Sequence, residues 1–267
     1  MESVKKKQIL CYDSGIGGIT VLAQAKQVLP DENFIYFADV TQVPYGDKNH
    51  EQIRRIILTH MEELLDDRIK AVLMACNTGT AVCIKDLRAK YGIPILGLEP
   101  ALKPAVENCR GKILVLATAL TLQEEKFSHL LAHLQATNPS QKIILEPCPG
   151  LADLVEESPT NPDAINYIFK KIAPHADGLE GIVLGCTHYV FLRPFLQQEF
   201  PKIKIFDGNL GIARLMKKTL EDSDLLGGEG TVLWKFSETD PKQVSMLENK
   251  FQTYYEFWYN NLQNNQS

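Results

Sequence analysis

Two cysteines stand in matched surroundings. In VLMACNTGTAV (72–82) an apolar run is followed by Cys76, Asn77 and Thr78. In VLGCTHYV (183–190) the run ends in Gly185 and is followed by Cys186, Thr187 and His188. A thiol at a strand end that opens a helix meets backbone N–H groups and the positive end of the helix dipole, which favour the thiolate. Two such thiols suggest proton chemistry on both faces of one carbon. One thiolate takes a proton, and the other thiol returns one to the opposite face. On the residues alone two alternatives stay open: a nucleophile with a resolving thiol in a redox enzyme, and plain core packing. Cys11, Cys83, Cys109 and Cys148 lack hydrogen-bonding followers and read as core.

Other polar words carry chemistry of their own. Asp13 and Ser14 precede GIGG (15–18). Glycines there let backbone approach a ligand and start a helix at an anion. Neither G-x-G-x-x-G nor a Walker lysine is present, and a carboxylate fits as well as a phosphate. Asp13 reads equally as a helix N-cap. Asp39 opens DVTQVPYG (39–46), where Pro44, Tyr45 and Gly46 make a tight turn. His188, two residues after Cys186, can hydrogen-bond to a thiol or shuttle its proton. The other five histidines lack such neighbours.

These words need strands and helices to hold them. Short runs rich in Ile, Val and Leu recur at 8–12, 33–38, 70–75, 112–117, 142–147, 181–185 and 202–206. Amphipathic segments at 50–67, 123–134 and 194–200 lie between them. Near-continuous apolar strands alternating with helices predict parallel sheets covered on both faces. Such sheets bind ligands beyond the carboxyl ends of their strands. That is where DSGIGG, DVTQVPYG, CNTGT, the Ala117–Thr118 pair and CTH fall. Residues 92–104, with three prolines, read as a crossing between two similar halves. TVLWKF (231–236) reads as a strand, and Asp240–Pro241 as a helix start.

The bulk composition narrows the setting. The 267 residues suit two domains, and 45% hydrophobic with 23% charged residues is a globular mix. The net charge of −5 argues against nucleic acid or an anionic membrane as the main partner. Six cysteines contain no C-x-x-C pair, so neither a zinc ribbon nor a thioredoxin-type site is indicated. No apolar stretch approaches the roughly 20 residues of a membrane span. No secretory signal is evident at the N-terminus. A reduced cytoplasm with free thiols is the expected home.

Together the words resemble those of the glutamate racemases, cofactor-independent enzymes of the aspartate/glutamate racemase family. The resemblance runs from Ile9 to Phe251 and rests on DSGIGG, YFADVTQVPYG, ACNT, GLEPA, VLATALT, LVEE and LGCTHY. It implies an α/β fold of two similar domains with the active site in the cleft between them. It also implies that residues 1–97 plus 207–267 form the first domain and 98–206 the second. Cys76 and Cys186 are then the acid/base pair on opposite faces of the substrate α-carbon. Asp13 and His188 assist one thiol each, with Glu156 near the second. Asp13, Ser14, Pro44, Tyr45, Gly46, Asn77, Thr78, Thr118, Thr121, Thr187 and His188 fall where that family holds glutamate's ammonium and carboxylates. No cofactor and no metal are expected. Family members often pair, which allows a homodimer. The implied role is supply of D-glutamate for peptidoglycan in the bacterial cytoplasm. Val190 stands where a proline is common, and the FDGN segment lacks the usual serine after Asp207, which weakens a ligand role for Asp207.

Overall fold

The apolar runs become parallel strands, several of them buried along almost their whole length. The computed structural model describes residues 6–264. Its strands are β1 (Gln8–Asp13), β2 (Asn33–Ala38), β3 (Ile69–Met74), β4 (Ile95–Gly97), β5 (Lys112–Ala117), β6 (Ile143–Pro147), β7 (Leu179–Gly185), β8 (Lys204–Phe206) and β9 (Val232–Phe236). Every residue of β2 and β3 is buried. Continuous burial is what a parallel strand covered on both faces imposes. It is why these runs show no alternation of apolar and polar residues.

The chain divides into two units. One takes the chain up to Tyr45, Asn49–Leu98, and the chain from Asn209 onward. The other takes Gly46–Lys48 and Glu99–Gly208. The first holds a sheet in the order β4-β3-β1-β2-β9, and the second a sheet in the order β6-β5-β7-β8. All pairings are parallel. Apart from β9, the two sheets share one topology. The chain goes from the central strand to a neighbour on one side, then returns to a neighbour on the other. The order therefore reverses between β1 and β3 in the first unit, and between β5 and β7 in the second. Open parallel sheets bind ligands at such switch points, outside the carboxyl ends of the strands.

Helices flank both sheets. The helix His50–Leu64 starts with a capping box: the Asn49 side chain accepts from the Gln52 N–H, and Gln52 returns a bond to the Asn49 N–H. It ends earlier than its amphipathic pattern suggests. The Asp66 carboxylate turns back to accept from the Arg68 N–H at 2.9 Å and from its guanidinium. The segment 92–104, read as a crossing, contains the three-residue edge strand β4 before the chain enters the second unit. Flanking Pro94 and Pro100 mask it. The helix Pro241–Asn264 begins at its proline, as expected. Its buried Phe251 meets Phe236 at 5.0 Å and Trp234 at 6.0 Å between ring centroids. Trp234 in turn packs edge-on against Tyr36, 5.4 Å away. In the second unit Leu102, Val106, Ile113, Val115, Phe127 and Val183 form the core on which β5 and β7 rest. Among the described residues no helix is long and apolar enough to cross a membrane.

Candidate active site

The first unit gathers Asp13, Ser14, Cys76, Asn77 and Thr78 at its switch point. Tyr12 of β1 pairs with Met74 of β3, so the residues that follow each strand emerge side by side. Cys76 is the N-cap of the helix Asn77–Lys90, and its sulfur accepts the Gly79 N–H at 3.3 Å. The Ser14 hydroxyl lies 3.9 Å from the same sulfur. A 14-residue helix presents its positive end here, the setting in which a thiolate is favoured. Asn77 donates to the Leu98 carbonyl at 3.5 Å. Its buried Oδ1 has no hydrogen-bond partner among the described residues. Thr78 is buried beside it.

Asp13 is not the cap of the following helix. That position belongs to Gly18. Instead Asp13 Oδ1 accepts the Gly15 N–H at 2.9 Å, which folds the GIGG loop back over the strand end. Tyr36 donates to the Gly15 carbonyl at 2.7 Å and fixes the loop from β2. Gly18 is required by this packing. A Cβ there would lie 2.6 Å from Asp13 Cβ and 2.6 Å from the Tyr36 hydroxyl.

The second unit places Thr118, Thr121, Cys186, Thr187 and His188 around its own switch point. Ala117 of β5 pairs with Gly185 of β7, so Thr118 and Cys186 are the next residues out. Thr118 caps a short helix: its oxygen accepts the Thr121 N–H at 3.3 Å, and the two hydroxyls are 2.9 Å apart. Cys186 is buried and precedes a single helical turn, Thr187–Val190. One turn carries little dipole, so the neighbouring histidine takes its place. His188 Nδ1 lies 3.9 Å from Cys186 Sγ, and Nε2 lies 2.7 Å from Glu156 Oε2. Burial, the largest influence on His188, pushes its pKa down. Hydrogen bonds to Cys186 and Glu156, with their charges, outweigh it and hold the ring well above the usual histidine value. Tyr189 donates to the Cys148 carbonyl at 2.9 Å and pins this turn to the end of β6.

The remaining motif residues make contacts of their own. Pro44 follows a cis Val43–Pro44 peptide. The Tyr45 hydroxyl donates to Asp39 at 2.7 Å and sits 2.7 Å from the Tyr12 hydroxyl. It is spoken for inside the first unit, so only the backbone of the Pro44-Tyr45-Gly46 turn remains to meet a ligand. Asp207 pairs with Arg193 at 2.9 Å. Cys11, Cys83, Cys109 and Cys148 are buried, and burial pushes the Cys83 and Cys148 thiols up to about 12. Among the described residues no three His, Cys, Asp or Glu side chains gather as a metal site.

The motifs did not single out His60 as functional. It lies on the apolar stripe of its helix with Ile53, Ile57 and Met61, and its Nδ1 is 2.9 Å from the Tyr12 hydroxyl. A polar ring on an apolar stripe was the signal available, because a polar group that faces the core demands a partner.

The chain is similar to known proteins over most of its length. The family model described as Asp/Glu/hydantoin racemase matches residues 19–216. A glutamate racemase of Clostridium botulinum (strain Langeland) is 42% identical over 254 residues, 93% of this chain and 98% of that protein. One from Clostridium novyi (strain NT) is 42% identical over 241 residues, covering 86% of this chain and 90% of its own. The crystal structure of glutamate racemase isoform RacE1 from Bacillus anthracis superposes with a TM-score of 0.78 at 25% identity, covering 95% of this chain and 94% of that one. The Escherichia coli glutamate racemase, solved with L-glutamate and the activator UDP-MurNAc-ala, gives 0.76 at 25% identity, with 92% and 95% covered.

Proposed function

Because the chain belongs to the Asp/Glu/hydantoin racemase family, we propose that it interconverts L- and D-glutamate by moving the α-proton between two cysteine thiols. The observation that carries this reading is the repetition of one device. In each unit a parallel sheet reverses its order, and a buried cysteine stands just past the strand at that point. Each cysteine has its own polar attendants. Mere binding of an amino acid needs no thiols. The relatives at 42% identity carry the name glutamate racemase, and the E. coli structure was solved with L-glutamate.

In the proposed reaction one thiolate removes the α-proton, and the opposite thiol gives its proton to the other face of the carbon. The bond to one hydrogen breaks as another forms, and the two cysteines exchange protonation states. No electron sink is required if the developing negative charge on the α-carboxylate is met by hydrogen-bond donors already in place. Ser14, Thr78, Thr118, Thr121 and Thr187 supply hydroxyls for that task, and the Pro44-Tyr45-Gly46 turn supplies backbone. Asn77 Oδ1, buried without a partner, suits the substrate ammonium. Asp13 assists Cys76, while His188, held by Glu156, assists Cys186. We place the reaction in the cytoplasm, with D-glutamate as a precursor of peptidoglycan.

The test is incubation of the purified protein with L-glutamate in D₂O with no cofactor added, and with L-aspartate in parallel. Optical activity and α-deuterium content are followed. Loss of rotation with deuterium entering at the α-carbon is expected for glutamate. Glutamate that raises the melting temperature yet neither racemises nor exchanges would overturn the reading in favour of a binding protein.

A further inference from the structure

Four side chains of the first unit form a hydrogen-bonded chain that the mechanism above does not use. His60 Nδ1 lies 2.9 Å from the Tyr12 hydroxyl. Tyr12 lies 2.7 Å from the Tyr45 hydroxyl, and Tyr45 lies 2.7 Å from Asp39 Oδ2. Tyr12, Tyr45 and Asp39 are buried, and His60 caps the chain from its helix. Tyr12 stacks on Phe37 at 5.3 Å, and Phe37 meets the His60 ring at 5.0 Å. Burial of Tyr12, Tyr45 and Asp39 makes each polar contact among them worth more, and each broken one costlier.

Counting hydrogens fixes the direction of the chain. Tyr45 gives its only hydroxyl hydrogen to the Asp39 carboxylate, which accepts and has none to return. The Tyr45 oxygen must therefore accept from Tyr12. Tyr12 then has no hydrogen left for His60, so the Tyr12 oxygen must accept from the ring. His60 must carry its hydrogen on Nδ1. Asp39 Oδ2, 3.8 Å from that nitrogen, favours the same state. Burial first, and then neighbouring negative charge, pushes both phenols well above their ordinary range, so both keep their hydrogens.

We infer that His60 is a positioning residue for the Pro44-Tyr45-Gly46 turn, acting through Tyr12 and the inward-pointing Tyr45 hydroxyl. This rests on the reading that the turn's backbone binds glutamate. A turn tethered at Tyr45 keeps its N–H groups aimed before substrate arrives, so binding does not have to order them. Losing the tether weakens substrate capture more than it slows proton transfer, because the thiols are held by other contacts.

The experiment uses the full chain labelled with ¹⁵N-histidine, with steady-state kinetics on L-glutamate for the wild type, His60→Phe, His60→Asn and Tyr12→Phe. The His60 signal is identified by its absence from His60→Phe, or by its shift in Tyr12→Phe should the first variant not fold. The hydrogen is expected on Nδ1 at neutral pH. KM is expected to rise about three- to tenfold in His60→Phe and Tyr12→Phe, the loss of one hydrogen bond, with kcat within about twofold. His60→Asn, whose amide N–H reaches the same position, is expected to restore most of the affinity. A bare Nδ1 would overturn the inference. So would an unchanged KM in both His60→Phe and Tyr12→Phe, or an Asn variant no better than the Phe one. A wild type that neither binds nor racemises glutamate sinks the functional reading instead, while the Nδ1 measurement still decides the direction of the chain.

Discussion

His188 Nε2 lies 2.7 Å from Glu156 Oε2, and both belong to the unit that carries Cys186. The carboxylate orients the ring and leaves Nδ1 turned toward the thiol, 3.9 Å away. A histidine clamped on one side by a carboxylate presents a defined tautomer or charge state on the other. The first unit does the corresponding work with a long helix and the Gly79 N–H instead. The two thiols are thus supported by different physics, and their variants should respond differently to pH.

The first prediction concerns the titration of His188. Its folded-state pKa is raised above its unfolded value, so its stabilising contribution is fully present below about 6.5. That contribution is lost as pH rises through the higher folded value. Glu156→Gln removes one raising influence and should lower the folded value, so the contribution is smaller and its loss is complete at a lower pH. NMR titration of the His188 ring in both proteins checks this. A ring that titrates at or below the unperturbed value in the wild type, or one unmoved by Glu156→Gln, would refute the account.

The second prediction concerns the thiols themselves. Cys76→Ala and Cys186→Ala should each lower racemisation by about 10²–10⁴-fold or more, the weight of a positioned acid or base. Neither loss should be repaired by the cysteine that remains. The readout is optical rotation of L- and D-glutamate, with circular dichroism to verify folding. Substantial turnover by either folded variant would remove the two-base scheme.

The strands were legible because burial on both faces leaves a plain record. The sequence places strands at 33–38 and 112–117, and β2 and β5 occupy the same residues. Short edge strands write less: β4 lies among prolines, and β8 covers only Lys204–Phe206 of the apolar run 202–206. Contacts within one word, such as Cys186 with His188, can be read from spacing. Glu156 is 32 positions from His188, and only the likeness to a known family drew attention to it. The Tyr12–His60 contact spans 48 positions, and no local pattern announces it. Folding brings such partners together through the order of strands, which periodicity alone does not specify.

The third prediction tests the close approach of the loop after β1. At Gly18 an added methyl meets Asp13 Cβ, near the main chain, and a Tyr36 hydroxyl already bonded to Gly15. Neither can swing away without moving the loop. Gly18→Ala should destabilise the protein by about 1–3 kcal/mol, as overpacking does. It should also reduce turnover by displacing Asp13. Urea denaturation and glutamate kinetics check the two effects, and wild-type values in both would show that the loop has room to spare.

The fourth prediction separates stability from catalysis. Lys70 is fully buried and paired with the buried Glu32, while its ammonium donates to the Leu225 and Gly227 carbonyls at 2.8 and 2.9 Å. Glu32 accepts the Gly227 N–H at 2.7 Å, so the pair ties the chain ahead of β9 to the sheet. Lys70→Met strands a buried carboxylate and should cost about 3–5 kcal/mol in urea denaturation. Adding Glu32→Gln should recover part of that, because the stranded charge is gone. Lys70 stands near the opposite end of β3 from Cys76, roughly 20 Å away at the rise of an extended strand. Activity per folded molecule should therefore stay near wild type in both variants. A Lys70→Met protein as stable as the wild type would mean that Glu32 takes up a proton or finds another partner. A stable variant with lost turnover would tie this end of the sheet to the site in a way its contacts do not explain.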